Sequence, residues 1–274
     1  MARVLILSSY VASSRVGGGA QALALARLGI EPILIPTVLF GRHPGHGPPG
    51  GAAVDAGTFE AMLGGVEAHG LFAQLDAVIT GHFSSAEQVA IAADALSRVR
   101  AAAPKARLIV DPVMGDEGKG LYVKEAVAEA VAGLLVPRAD VVAPNAWELA
   151  RLTGLPVIDP QTALVAARRL GRPVLASSIH CGDEIGVLYV NGEDAWLAAH
   201  APVQAAPKGT GDLLTALFTA ALIGGFSAPD ALGLAVGGVA DAVDEAAGLD
   251  ELPLTALPTS LGASPFVTLE AIDG

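Results

Sequence analysis

The sequence predicts an α/β fold: a central, mostly parallel sheet flanked by helices on both faces, with a late antiparallel hairpin. Two observations carry this. Short β-rich runs alternate with helical stretches along most of the 274 residues, the pattern of strand–helix–strand units. Several of those runs are almost continuously apolar and then turn polar at once, as strands buried on both faces do. A third observation adds the late hairpin: "NGE" (191–193) joins two β-rich runs as a tight turn.

Taken in order, the strands are "RVLILSS" (3–9), "PILIPTV" (32–38), "DAVITGH" (76–82), "ARLIVDP" (106–112), "ADVVAPN" (139–145) and "RPVLASS" (172–178). The hairpin strands "EIGVLYV" (184–190) and "DAWLAAH" (194–200) follow, and are expected to form an antiparallel edge. Helices are expected at 17–28, 58–69, 84–103, 124–134, 145–153, 160–170, 211–223 and 228–244. Pro112 stops any helix from following the fourth strand directly. Asn145 and Glu148 stand at capping-box spacing, which starts a helix there. No internal repeat or long linker divides the chain, so residues 1–274 read as a single domain.

Composition narrows the function classes. Lys and Arg number 16 against 28 Asp and Glu, a net charge of −12. A nucleic-acid or anionic-membrane surface needs clustered cations, so neither partner is expected. No run of about 18 apolar residues could span a bilayer. The lone Cys181 fits a reducing compartment, and the expected location is the cytoplasm.

In open α/β sheets, ligands gather at the carboxyl ends of strands. That rule selects Ser9, the stretch from Thr37 to His46, Gly81-His82, Asp111, Asn145 and Ser177-Ser178. The strongest local signal is "PKGTGDLLTALF" (207–218). The amides of Gly209, Thr210, Gly211 and Asp212 are the unpaired donors of a helix's first turn, and they favour an anion. Asp212 beside them is either a helix cap or a base that takes a hydroxyl proton during phosphoryl transfer. Asp111 is a plausible outer ligand for Mg²⁺, and Glu148 either closes the capping box or helps hold a hydrated metal. Turn chemistry alone could explain Asp116 and Glu117. Lys208 and Lys119 are the local cations for an anionic ligand. The segment "FGRHPGHGPPGG" (40–51) reads as an exposed flap. His43 and His46 in it lack the companions of a zinc site. Gly17-x-Gly19-x-x-Ala22 mimics a dinucleotide motif, but residues 32–54 contain no acidic partner, and no P-loop occurs. His69, His82, His180 and His200 are isolated and receive no role.

Together, "SSYVASSRVGGGA", "PTVLFGRHPGHG", "TGHFSSAEQV", "DPVMGDEGKGLYV", "APNAWELARLTG" and "KGTGDLLTALF" resemble the ribokinase-like superfamily, and within it the pyridoxal kinases. The likeness spans nearly the whole chain. It implies a ribokinase-like fold with no separate lid domain. It implies transfer of the γ-phosphoryl of ATP to the hydroxymethyl group of pyridoxal, pyridoxine or pyridoxamine. It also implies Mg²⁺ with ATP, a monovalent cation such as K⁺, and a homodimer. By the same resemblance Asp212 is the catalytic base, and Gly209, Thr210 and Gly211 are the anion hole. Ser9, Thr37 and the flap histidines His43 and His46 contact the vitamer. Asp111, Asp116, Ala143, Glu148 and Ser177 lie along the nucleotide, with Asp111 and Glu148 nearest the metal; Lys208 is added to the nucleotide side on charge, as a local cation close to the motif. Three positions depart from the family: Gly17-Gly18 replaces glycine–asparagine, His46 replaces a flap tyrosine, and Ala176-Ser177 stands where a lysine or threonine is common. Hydroxymethylpyrimidine kinase is the alternative activity, and a non-catalytic binder of nucleotide or pyridoxal phosphate the alternative class.

Overall fold

The computed structural model describes residues 1–203 and 206–272. Strand β1 (Arg3–Val11) leads through α1 (Gly17–Arg27) to β2 (Glu31–Phe40), and β3 (Gly51–Ala53) folds back on β2. Then come α2 (Ala56–Ala68), β4 (Ala77–Thr80), α3 (Ala86–Ala102) and β5 (Arg107–Val110). A small hairpin, β6 (Gly115–Asp116) and β7 (Gly120–Leu121), precedes α4 (Glu125–Ala130), β8 (Val141–Val142), α5 (Ala146–Thr153) and α6 (Pro160–Leu170). The last elements are β9 (Val174–Cys181), β10 (Glu184–Asn191), β11 (Asp194–His200), α7 (Thr210–Ile223), α8 (Ala228–Glu245) and β12 (Thr268–Ala271).

Ten strands make one sheet, in the order β12-β11-β10-β9-β8-β5-β4-β1-β2-β3. From β2 to β9 every pairing is parallel; β3 and the trio β10 to β12 run antiparallel. Strand alternation sorts the core into two layers. Val4, Ile6 and Ile79 pack with residues of α1, α7 and α8, while Leu5, Leu7 and Val78 pack with α2, α3 and α4. Helices α5 and α6 cover the β9–β10 end. Both faces are therefore dry, which is why these strands read as unbroken apolar runs.

The helix at 160–170 matches expectation to the residue because its signals are complete. Asp159 caps its first turn, Pro160 opens it, and Gly171 at φ 69° ends it. The strand expected at 139–145 pairs only at Val141–Val142, with an isolated bridge from Asn145 to Ser177. Pro144 lies between and has no N–H for the ladder. The hairpin β10–β11 is not the edge it was expected to be. Strand β12 pairs outside β11, and its four exposed residues carry no alternation that would announce a strand. The helix expected at 124–134 is α4 followed by a wider π turn at Val131–Leu135.

The chain goes from β1 to β2 on one side and then returns to β4 on the other side of β1. This is the topological switch point, where a crevice opens beyond the strand ends.

Gln21 on α1 is fully buried, and neither polar atom of its amide has a hydrogen-bond partner among the described residues. An unpaired buried amide costs roughly 1–3 kcal/mol. Gln21→Met should therefore raise Tm by a few degrees in a thermal melt. An unchanged Tm would mean that water already pairs the amide.

Candidate active site

At the switch point lies a cavity of about 1040 Å³, reached by the ends of β1, β2, β4, β5 and β9, and by the starts of α1 and α7. Asp212 sits in the first turn of α7 but does not cap it. The cap position is Gly209, at φ 96°, with no side-chain bond to the helix. Asp212 Oδ2 instead accepts the amide hydrogen of Gly17, the first residue of α1, at 2.8 Å. Two helix N-termini thus favour negative charge on one carboxylate. Burial wins over them and pushes Asp212 up to about 6, with the Gly17 amide pulling the other way. A carboxylate of that proton affinity is suited to accept a hydroxyl proton near neutrality.

The glycines are there for close approach. A Cβ on Gly209 would lie 2.1 Å from the Arg15 carbonyl oxygen, and one on Gly17 (φ 60°) would lie 2.0 Å from Ser9 Oγ. These two contacts draw together the end of β1, the start of α1 and the start of α7. Gly211 has open space around its Cβ position and keeps its amide on the cavity wall with Thr210.

Asp111 directly follows β5 and is buried; its Oδ2 accepts a long hydrogen bond of 3.3 Å from Thr215 Oγ1. Burial, then the Glu148 and Asp212 carboxylates, raise its proton affinity well above the usual range. Glu148 is also buried and raised, by burial first. Its Oε1 accepts from the amides of Met114 (2.8 Å) and Gly115 (3.3 Å), and its Oε2 from Asn145 (2.9 Å). Asn145 Oδ1 accepts the Glu148 amide in return, so the capping box is real. Glu148 thereby ties the loop after β5 to α5 while it lines the cavity.

Ser9, His43, Asp116, Ala143, Ser177 and Lys208 also line the cavity. Two expected vitamer contacts do not. Thr37 is fully buried behind the wall, and its hydroxyl is spent on the His82 carbonyl at 2.7 Å. His46 lies on the exposed outer turn of the flap, edge-on to His43 with ring centroids 6.0 Å apart. Thr37 supports the site from behind, and His43 is the histidine that faces in. Sequence reasoning gave no role to His82, which the structure puts in the cavity wall. Its Nδ1 is buried without a partner among the described residues, and burial pushes the imidazole down to about 4. Only its place at a strand end hinted at this. In a histidine NMR titration, the signals deleted by His82→Gln should stay in the neutral form until the pH falls to about 4. Titration of those signals near 6.5 would show that Nδ1 has found a partner.

No group of three or more His, Cys, Asp or Glu among the described residues could cage a metal ion. The donor set suits Mg²⁺ arriving with a nucleotide, since that ion keeps waters and is bound by one or two carboxylates plus phosphate oxygens. Asp111 has an oxygen left for it. Glu148 has both oxygens engaged with amides and fits an outer position. No helix among the described residues is long and apolar enough to cross a membrane.

The phosphomethylpyrimidine kinase family model matches residues 67–254. A pyridoxine/pyridoxal/pyridoxamine kinase of Bordetella avium is 39% identical over 232 residues, covering 82% of this chain and 78% of that protein. A pyridoxal kinase of Rubrobacter xylanophilus is 35% identical over 273 residues, covering 96% of this chain and 94% of the relative. Among solved structures, the pyridoxal kinase of Leishmania donovani in complex with ADP superposes with a TM-score of 0.90 at 25% identity, covering 98% and 99% of the two chains. The pyridoxal kinase of Entamoeba histolytica gives 0.89 at 26% identity, covering 99% and 100%. A ribokinase-like sheet, a buried carboxylate at a glycine-lined helix start and relatives of this similarity place the chain in the phosphomethylpyrimidine kinase family, among its pyridoxal kinases.

Proposed function

We propose that the chain uses ATP to phosphorylate the hydroxymethyl group of pyridoxal, and also of pyridoxine and pyridoxamine, giving the 5′-phosphate in vitamin B6 salvage. The observation that carries this reading is Asp212: a carboxylate raised to about 6, held by the Gly17 amide, beside the open amides that start α7. The names of the relatives supply the vitamer and the nucleotide.

In this reading Asp212 takes the proton of the hydroxymethyl group as the hydroxymethyl oxygen attacks the γ-phosphorus, and the bond from that phosphorus to the β,γ-bridging oxygen breaks to release ADP. The amides of Gly209 to Gly211 hold the equatorial oxygens, and the cavity wall excludes water, so catalysis is mostly positioning and electrostatics. Ser9 and His43 contact the acceptor side. Asp116, Ala143, Ser177 and Lys208 line the nucleotide side. Mg²⁺ near Asp111 and Glu148 would supply charge neutralisation of the phosphates. A monovalent cation such as K⁺ belongs to the same reading. So do a cytoplasmic location, a homodimer and one kinase domain over residues 1–274.

The test is ATP-dependent phosphorylation of pyridoxal, pyridoxine, pyridoxamine and hydroxymethylpyrimidine, with Mg²⁺ and K⁺ each omitted in turn. Turnover of a B6 vitamer supports the reading. The description of the matching family favours the pyrimidine as second acceptor, and turnover of that compound alone would replace the vitamer as substrate. Sedimentation of the purified chain checks the dimer.

A further inference from the structure

Three basic side chains from separate segments meet at one corner of the cavity. His43 comes from the flap, Lys119 from the β6–β7 turn and Lys208 from the approach to α7, and all three line the wall with Gly209, Thr210 and Gly211. The flap rests on Lys208: a Cβ at Gly45 would lie 3.1 Å from Lys208 Cε. The Gly45 amide donates to His43 Nδ1 at 3.0 Å, which leaves Nε2 to carry the hydrogen of the neutral ring.

The charges around this corner are unbalanced. Burial, then Lys208, His46 and Lys119, hold His43 below the usual histidine range, with Glu251 alone pulling it up. Burial, then Lys119, likewise lower Lys208, against Asp116. Lys119 has a loose pair with Asp116 at 3.9 Å; Lys208 and His43 have no ion pair among the described residues. Like charges gathered in a partly desolvated corner repel, and a dianion placed between them turns that repulsion into attraction. The start of α7 adds its amides to the same side.

We propose that His43, Lys119 and Lys208 form a closing site for the phosphoryl group, so that the flap shuts on phosphate charge. The inference rests on the kinase reading and deepens it. The transferred phosphoryl is the γ-group of ATP and the ester group of the phosphorylated product; ADP and the free vitamer lack it. Binding that group draws a proton onto His43 Nδ1, which gives up its bond from the Gly45 amide, because a dianion raises the affinity of a ring that burial and its cationic neighbours hold neutral. Affinity for the phosphorylated ligand therefore rises as pH falls, and the gain disappears as pH climbs past the bound-state value.

The test is calorimetric binding of pyridoxine and pyridoxine 5′-phosphate, which have no aldehyde to react with lysines, to the wild type, His43→Gln and Lys208→Met. Each substitution should weaken the phosphate ester by roughly tenfold or more, the scale of one charge-assisted hydrogen bond, and should weaken pyridoxine, which lacks the phosphate, far less than it weakens the ester. The wild type should bind the ester more tightly at about pH 7 than at about pH 8.5, a window in which the ester stays a dianion, and His43→Gln should lose that slope. Equal weakening of both ligands by His43→Gln would make the flap a reader of the ring and overturn the inference. So would an unchanged ester affinity. Turnover of pyridoxine is measured on the same wild-type preparation. Its absence defeats the kinase reading and the inference together, whereas turnover with an unaltered His43→Gln profile defeats the inference alone.

Discussion

Asp212→Asn is expected to lower turnover of pyridoxal by roughly two to four orders of magnitude, the usual contribution of a positioned base with its substrate held in place. Asparagine keeps the shape and an oxygen that can still accept the Gly17 amide, so the α1–α7 contact survives. It cannot take the proton. The wild-type pH profile should show why: kcat/KM falls on the acid side with an apparent pKa of about 6, as the carboxyl takes up a proton before substrate arrives. Stability moves in the opposite sense. The folded state holds the Asp212 proton more firmly than the unfolded chain, whose value is near 3.8, so this residue's contribution to stability declines as pH rises from there through about 6. The Tm of Asp212→Asn should therefore exceed that of the wild type at pH 8, and the two should converge at low pH. Undiminished turnover in the variant would reduce Asp212 to a first-turn residue that anchors α1.

Gly209→Ala is the second large effect, and it should strike the fold before the chemistry. The residue is at φ 96°, a region that L side chains rarely adopt, and the new methyl would meet the Arg15 carbonyl at 2.1 Å. Strain of that kind costs roughly 1–3 kcal/mol before the clash is counted. Relieving the clash moves α7 away from α1 and takes Asp212 from the Gly17 amide. A fall in Tm with activity all but lost is expected. Gly211→Ala supplies the contrast. Its Cβ meets nothing within 4 Å and its backbone is ordinary, so Tm should hold. The methyl points into space beside the amides, and the apparent KM for ATP should rise. If Gly211→Ala proved silent toward ATP, the amides at the start of α7 would not be the phosphate cradle.

Most of the fold was legible in the chain because its signals are local. Apolar runs gave the buried strands, and complete caps such as Asp159, Pro160 and Gly171 fixed helix ends. The strands that escaped are short: β3, β6 and β7 pair with near neighbours across turns, and the exposed β12 exists by pairing with β11, far earlier in the chain. The crevice was legible in outline, since a polar residue directly after an apolar strand marks the carboxyl edge of the sheet. Asp111, Ser9 and Ser177 were found that way.

Tertiary structure alone decided what each of those residues does with its neighbours. "GTGD" announces an anion site and a carboxylate, but that the carboxylate leaves the cap position to Gly209 and accepts the Gly17 amide, 195 positions away, is seen only in the folded chain. Thr37 and His43 come from one stretch, yet one hydroxyl is spent behind the wall and one imidazole lies beside Lys208 at a corner of the cavity. Glu148 fulfils its capping box and meets the Met114 amide as well. Residue type and spacing set the local conformation and the chemical repertoire of the chain. Burial and the approach of distant charges set the proton affinities and free valences on which the chemistry depends, and these arise only when the chain has folded.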